Sequence, residues 1–377
     1  MRKLFTSMGI MSGTSMDGID ISLINSDGDK IVDSINDITY KYPKNLEIEI
    51  KNFITFVNKG NTENISKNIN YLKLEDKFNI FVKNKILDFC KRFNFSISNL
   101  DVIGLHGHTI YHNPNKKISL QVGSGDFLSK YFQTRCVFNF RNSDIKNGGQ
   151  GAPLVPIFHK AIFKDSKITR AIVNIGGITN ITFLGKKNIL ISSDIGPGNV
   201  LIDKFSEIAF KKSLDYEGKN GSKGNLIPKL LNIWLNKSFI KKKIPKSFDN
   251  FFFNLSDYIL IDKILPKNKT INYDLICTLT YFTAKIIELS KVFFKEEIDE
   301  WIICGGGSKN LFLMNILSKK LKKVIVSDKY GWNSDFVESQ AFAYLAIRKI
   351  ISLPSTFPGT TGVQKPTVCG ELVFKSY

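Results

Sequence analysis

Three glycine-rich turns, each set after a short run of β-branched residues, are the segments of this sequence whose spacing suits chemistry. The first is Gly9-Ile10-Met11-Ser12-Gly13-Thr14-Ser15-Met16-Asp17-Gly18-Ile19-Asp20. A strand ending in Ser-Gly-Thr-Ser offers unshielded main-chain N–H groups and three hydroxyls, a concave arrangement that suits phosphate oxygens. It has neither the G-x-x-x-x-G-K-[ST] nor the G-x-G-x-x-G spacing, and an ordinary hairpin turn would have the same composition. The second, Asn174-Ile175-Gly176-Gly177-Ile178-Thr179-Asn180, repeats the design. The third, Cys304-Gly305-Gly306-Gly307-Ser308-Lys309-Asn310, lets a planar group or a ribose approach bare backbone at a helix start.

The elements that must hold these turns alternate between strand and helix. Phe5–Met11 and Ile19–Asn25 read as strands around the first turn, Ala171–Asn174 and Ile178–Leu184 as a hairpin around the second, and Trp301–Cys304 as a buried strand before the third. Val102–Leu105, Ser119–Val122 and Val137–Phe140 are further strands. Apolar spacing predicts helices over residues 64–95, in a Lys/Asn-rich region from about 226 to 296, from Asn310 onward, and over Ser339–Ile351. This alternation predicts an α/β protein with parallel pairing in each half. Gly and Pro cluster in GGQGAP (148–153), which sets the expected division: residues 1–149 with 341–377 in one domain, 150–340 in the other.

Composition narrows the function classes. With 377 residues, 43% hydrophobic and 23% charged, the chain can bury two ordinary cores. No apolar run approaches the roughly 18 residues of a membrane span, and MRKLFTSMGIMSGTS lacks the apolar stretch of a signal peptide, so a cytoplasmic protein without a membrane partner is expected. The formal charge of +19 comes from lysine spread along the whole chain beside Asn and Ile, so no nucleic-acid partner is expected; the one dense run, Lys241 to Lys246, reads as a solvated loop. A general positive potential favours anionic ligands such as nucleotides and sugar phosphates. The five cysteines are scattered and never form C-x-x-C, which argues for small buried side chains. His106, His108 and His112 form H-x-H-x₃-H, superficially a metal-hydrolase pattern, but His159 is the only other histidine and no metal site is expected.

Taken together, GIMSGTSMDGID, GGQGAPLVPIFH, NIGGITNIT, DIGPGNVLID and CGGGSKN, in that order, resemble the signature set of the anhydro-N-acetylmuramic acid kinase family, and the three turns resemble the phosphate-1, phosphate-2 and adenosine turns of the actin and sugar-kinase superfamily. The resemblance runs from Gly9 to about Ala343. It implies two actin-like (ribonuclease H-like) domains around a nucleotide cleft, ATP and Mg²⁺ as cofactors, and an anhydro amino sugar as substrate. The implied reaction phosphorylates O6 of anhydro-N-acetylmuramate while water opens the anhydro bridge, yielding N-acetylmuramate 6-phosphate in peptidoglycan recycling. A homodimer is implied as well.

By the same resemblance Ser12, Gly13, Thr14, Ser15, Met16, Asp17, Gly18 and Ile19 hold the ATP phosphates, with Gly176 and Gly177 as the second turn and Gly305, Gly306 and Gly307 bordering the adenosine. Opening the bridge requires a base that deprotonates the attacking water. No separate acid is required, because O6 leaves by accepting the phosphoryl group. Asp194, between a strand over 188–193 and the Gly196-Pro197-Gly198-Asn199 turn, is the expected base. Arg141, Asp144, His106 and Glu338 match positions that contact sugar. Met11 stands where the superfamily often has a metal-organising Asp, and His106-Gly107-His108-Thr109 where the family pattern has H-G-Q-T. Two other readings keep the fold: a kinase for another amino sugar, and a non-catalytic nucleotide-binding module.

Overall fold

The computed structural model describes residues 3–13, 18–248, 252–259 and 270–374. Its strands are β1 (Phe5–Ser12), β2 (Gly18–Ser26), β3 (Val32–Lys41), β4 (Val102–Asn113), β5 (Ile118–Val122), β6 (Arg135–Phe138), β7 (Arg170–Ile175), β8 (Ile178–Leu184), β9 (Leu190–Pro197), β10 (Glu300–Cys304), β11 (Val324–Val326) and β12 (Glu371–Val373). Contacts divide the chain into one unit of Met1–Ile162 with Phe336–Tyr377 and a second of Phe163–Asp335. The sequence places these divisions at 149/150 and 340/341.

In the first unit the sheet order is β12-β6-β4-β1-β2-β3, with β5 on β4. In the second it is β11-β10-β7-β8-β9. Numbered within each unit, with β5 and β12 set aside, both read 3-2-1-4-5. In both, the first three strands form an antiparallel meander and the fourth and fifth add in parallel. This repeated order is the actin-like, ribonuclease H-like architecture, so the expected α/β fold with two such domains holds.

Local chemistry explains the elements. The β2–β3 turn is closed by Asp27, whose Oδ1 accepts from the N–H groups of Asp29, Lys30 and Ile31, each at 2.9 Å. Gly28 supplies the positive φ of 71° there. The helix Leu311–Lys320 starts where Asn310 Oδ1 caps the N–H of Leu313 at 2.9 Å. The helix Val337–Ile350 lies directly on the first unit's sheet because glycine opens the way: a Cβ on Gly9 would stand 1.9 Å from the Ser339 carbonyl oxygen, and one on Gly104 2.2 Å from that of Phe342. Each unit has its own apolar core. One is built around Ile10, Ile21, Phe78 and Leu105, the other around Val173, Phe183, Trp234 and Phe282. None of the five cysteines forms a disulfide, and four of them are buried.

Candidate active site

The second and third glycine turns meet within the second unit. The N–H of Asn199 donates to the Gly176 carbonyl and that of Gly198 to the Gly177 carbonyl, both at 2.8 Å, while Asn199 Nδ2 reaches the Ile175 carbonyl at 3.3 Å. Gly305, at φ 76°, packs its Cα against Asn174, where an added Cβ would fall 2.2 Å from Oδ1. One on Gly307 would fall 2.3 Å from the Ile175 side chain. By contrast, a Cβ on Gly176 or Gly306 would find nothing closer than 3.6 Å and 3.9 Å. The turns thus join through main chain and leave an open face of bare backbone beside a helix start, a surface a phosphate or a flat nucleoside can approach.

Asp194 lies on β9 where the ladder is irregular. Thr179 pairs with Gly196 and Asn180 with Asp194, so Ile195 is an extra residue on β9. Such a bulge re-aims the side chains beside it. Asp194 is 6% exposed, and its Oδ2 accepts the main-chain N–H of Phe248 at 2.8 Å. Its own N–H donates to the Lys246 carbonyl at 3.0 Å. The strand then runs into the Gly198-Asn199 turn and the helix Val200–Phe210, whose N-cap is Asn199. Asp194 therefore stands inside β9, past the strand end expected at residue 193; the ladder continues because Gly196 and Pro197 still pair with Thr179 and Ile178.

In the first unit, Thr14, Ser15, Met16 and Asp17 lie outside the described residues; Ser12, Gly13, Gly18 and Ile19 frame that turn. The Ser12 hydroxyl donates to the Gly18 carbonyl at 3.0 Å. With its one hydrogen so used, it accepts from Tyr42 Oη at 2.6 Å and from His108 Nδ1 at 2.8 Å. The hydroxyl therefore closes the base of the turn, and His108 braces it. Burial lowers His108 to about 4, which keeps the ring neutral.

His106 is itself a bulge residue: Ile10 pairs with Leu105 and Met11 with Gly107, leaving His106 extra on β4. Its Nδ1 donates to the Gly107 carbonyl at 2.9 Å, and its Nε2 accepts Arg141 Nε at 3.2 Å. Burial and then the Arg141 guanidinium hold this histidine well below its ordinary range. Arg141 Nη1 also reaches the Gly151 carbonyl at 2.7 Å. Asp144 is fully buried; its Oδ2 accepts the Gly151 N–H at 2.7 Å and its Oδ1 the Thr361 hydroxyl at 2.6 Å. The GGQGAP turn is thus held by Arg141 and Asp144 together. Glu338 begins the helix Val337–Ile350, one turn before Phe342, whose ring centre is 4.4 Å from that of His106. Residues four apart share a helix face, so Glu338 stands on the face that carries this contact.

The three histidines of H-x-H-x₃-H point into separate networks, since His112 Nδ1 pairs with Ser119 Oγ at 2.9 Å. Among the described residues no three His, Cys, Asp or Glu side chains are grouped to hold a metal.

Sequence reasoning missed Lys246. The run Lys241–Lys246 was expected as a solvated loop; Lys241, Lys242 and Lys243 are exposed, but Lys246 is buried at 7% exposure. Its ammonium is bonded to the carbonyls of Phe239, Lys242 and Ile240 at 2.8, 3.1 and 3.4 Å. The available signal was a single cation between Ile244-Pro245 and the aromatic run from Phe248. Asp203 was also missed: burial, and then the Asp215 carboxylate, push it up to about 7.

A family model described as anhydro-N-acetylmuramic acid kinase matches residues 5–375. A protein of that name from Pelagibacter ubique is 40% identical over 100% of both chains, and one from Methylorubrum populi 36% identical over 97% of this chain and 98% of its own. Among solved structures, component A of (R)-2-hydroxyglutaryl-CoA dehydratase from Acidaminococcus fermentans covers 92% of this chain and 99% of its own, at 11% identity and a TM-score of 0.46.

Proposed function

The chain belongs to the anhydro-N-acetylmuramic acid kinase family, and from that premise we propose that it converts 1,6-anhydro-N-acetylmuramate, ATP and water to N-acetylmuramate 6-phosphate and ADP in peptidoglycan recycling. It is a sugar kinase, a phosphotransferase with an alcohol oxygen as acceptor. The observation that supports the reading most is Asp194 beside the bulge of β9, its carboxylate oriented by the Phe248 N–H and its strand continuing into the glycine turns.

Bound ATP supplies the γ-phosphoryl group, with Mg²⁺ neutralising charge on its phosphates. In the second unit the main chain of Gly176, Gly177 and Gly305–Gly307 would hold the nucleotide; in the first unit the turn opened by Ser12 is read as a phosphate turn, and Ser12 and His108 brace its described base. Asp194 takes a proton from the water whose oxygen bonds to the anomeric carbon as the C1–O6 bond breaks. The departing O6 takes the phosphoryl group in place of a proton, so one carboxylate suffices and the anomeric centre inverts. In the first unit we assign Arg141 and Glu338 to sugar contact; His106 orients Arg141, and Asp144 keeps the GGQGAP turn in place. By family resemblance we assign this enzyme to the cytoplasm as a homodimer. No described helix is long and apolar enough to cross a membrane.

Turnover in ¹⁸O-labelled water tests the joint reaction. Label at the anomeric oxygen of the 6-phosphosugar is expected, read before that hydroxyl exchanges with solvent; a phosphorylated sugar with its bridge intact would overturn the coupling. Asp194→Asn is expected to lower turnover by about 10²–10⁴-fold with ATP binding retained, and near-normal turnover would remove the base role.

A further inference from the structure

We propose that the segment Lys246–Phe248 is a strap that positions the Asp194 carboxylate, and that Lys246 is the residue that fastens the strap; this rests on the reading of Asp194 as the base. Four bonds tie the segment to Ser193 and Asp194 of β9, one of them from the Ser193 hydroxyl to the Lys246 carbonyl at 3.2 Å. The Asp194 N–H donates to the Lys246 carbonyl at 3.0 Å, the Lys246 N–H donates to Ser193 Oγ at 2.9 Å, and the Phe248 N–H donates to Asp194 Oδ2 at 2.8 Å. The Asp194 N–H bond is a main-chain contact and the Lys246 N–H is anchored on the Ser193 side chain; together they set the register that delivers the Phe248 N–H to the carboxylate.

Nothing in the backbone of a short loop would hold that register by itself. The Lys246 side chain does: its ammonium turns back onto the C-terminal carbonyls of the short helix Ser238–Lys241 and the residue after it, Phe239, Ile240 and Lys242. All three ammonium hydrogens are thereby used, which accounts for a lysine buried at 7% exposure. Phe248 seals the outer side by packing on Phe239, ring centres 5.7 Å apart.

Among the described residues, the charged groups near this point are the Lys246 and Lys242 ammoniums, of which the first is attracted to Asp194 and repelled by the second. Across the ladder β8 presents the neutral Asn180. The helix Ile271–Leu289 presents Ile286 against Gly196, and Thr283, whose hydroxyl bonds the Gly198 carbonyl at 2.9 Å. The strap thus carries the N–H donor to the ionised carboxylate and the nearby cation. Loosening it removes both stabilisers of the charged form, so the acidic limb of turnover must move to higher pH.

The test uses the full chain and compares Lys246→Met, Lys246→Arg, Ser193→Ala and Asp194→Asn. For Lys246→Met we expect a tenfold or greater fall in kcat, an acidic limb of kcat shifted upward by about one pH unit, and a KM for ATP within threefold of the original. Lys246→Arg is expected to restore part of the shift by keeping the cation, and Ser193→Ala, a milder cut that leaves the lysine in place, to give a smaller shift in the same direction. A limb at its original pH in both Lys246→Met and Ser193→Ala, with Asp194→Asn inactive, overturns the strap and spares the base. Turnover by Asp194→Asn overturns the base itself. If Lys246→Met does not fold, Ser193→Ala decides: an unmoved limb there refutes the proposal.

Discussion

Arg141 and His106 form a pair in which the guanidinium donates through Nε to a neutral imidazole, at 3.2 Å from Nε2. The Nδ1–H tautomer is required by the bond to the Gly107 carbonyl, so Nε2 can accept only while the ring stays uncharged. The histidine therefore aims the arginine, and the arginine's second bond, to the Gly151 carbonyl, fixes the turn beside it.

Arg141→Lys should separate the two halves of the reaction. A lysine offers one point charge where the arginine forks to two acceptors. Losing a charged hydrogen bond costs about 1.5–3 kcal/mol, or roughly 10- to 150-fold. We expect KM for the sugar to rise within that range and KM for ATP to change less than threefold, as measured by steady-state kinetics with each substrate varied. An equal rise in both would place the residue's effect on the fold.

Acid should unfold this protein through its histidines. His108 lies at about 4, and His112 and His159 at about 3, all lowered first by burial. An unfolded histidine titrates near 6.5, so between 6.5 and these values the unfolded chain binds more protons than the folded one, and stability falls as pH falls. Each group should cost about 2 kcal/mol between pH 7 and pH 5. Urea titrations at the two pH values measure the sum, and His159→Phe should show the shallower dependence. Equal midpoints at both pH values for the parent protein would contradict the buried neutral rings.

Two glycines should fail in different ways. Alanine at Gly9 would put its Cβ 1.9 Å from the Ser339 carbonyl oxygen and 2.5 Å from the Ala343 nitrogen, both rigid main chain. Overpacking of this kind costs about 1–3 kcal/mol or more, which calorimetry should register as a Tm lower by several degrees. Alanine at Gly306 meets no atom nearer than Asn199 Nδ2 at 3.9 Å. It should leave Tm unchanged yet weaken ATP at least tenfold in a binding titration, because the methyl group occupies the open backbone face. A Gly306→Ala protein with full ATP affinity would move the nucleotide away from that turn.

Much of the frame was legible where burial imposes a period. β1, β2, β7, β8 and β10 show as apolar runs bounded by glycine, and Leu74, Phe78, Phe81, Val82 and Ile86 mark the buried side of the helix Ile69–Arg92. β3 escaped because it is an edge strand whose Val-Asp-Ser-Ile-Asn-Asp run carries no apolar alternation: Ile35 is exposed, while Asp37 turns in to accept from Gln340 Nε2 at 3.1 Å. The helix Lys44–Asn58 escaped because Leu46-Glu47-Ile48-Glu49-Ile50 imitates the alternation of a strand; Ile48 is in fact exposed while Leu46, Ile50 and Phe53 are buried.

For the site, motif order alone carried the family and the reaction class and pointed to Asp194 as the proposed base, since glycine turns and a carboxylate beside them are local features written in neighbouring residues. Tertiary structure decided how those residues work. It turned the Ser12 hydroxyl inward to His108, set Asp144 to holding a turn, made His106 the support of Arg141, and drew Lys246 out of an apparently solvated run. Each of these depends on hydrogen bonds between residues far apart in the chain, and only the packed fold determines which buried polar group finds which partner.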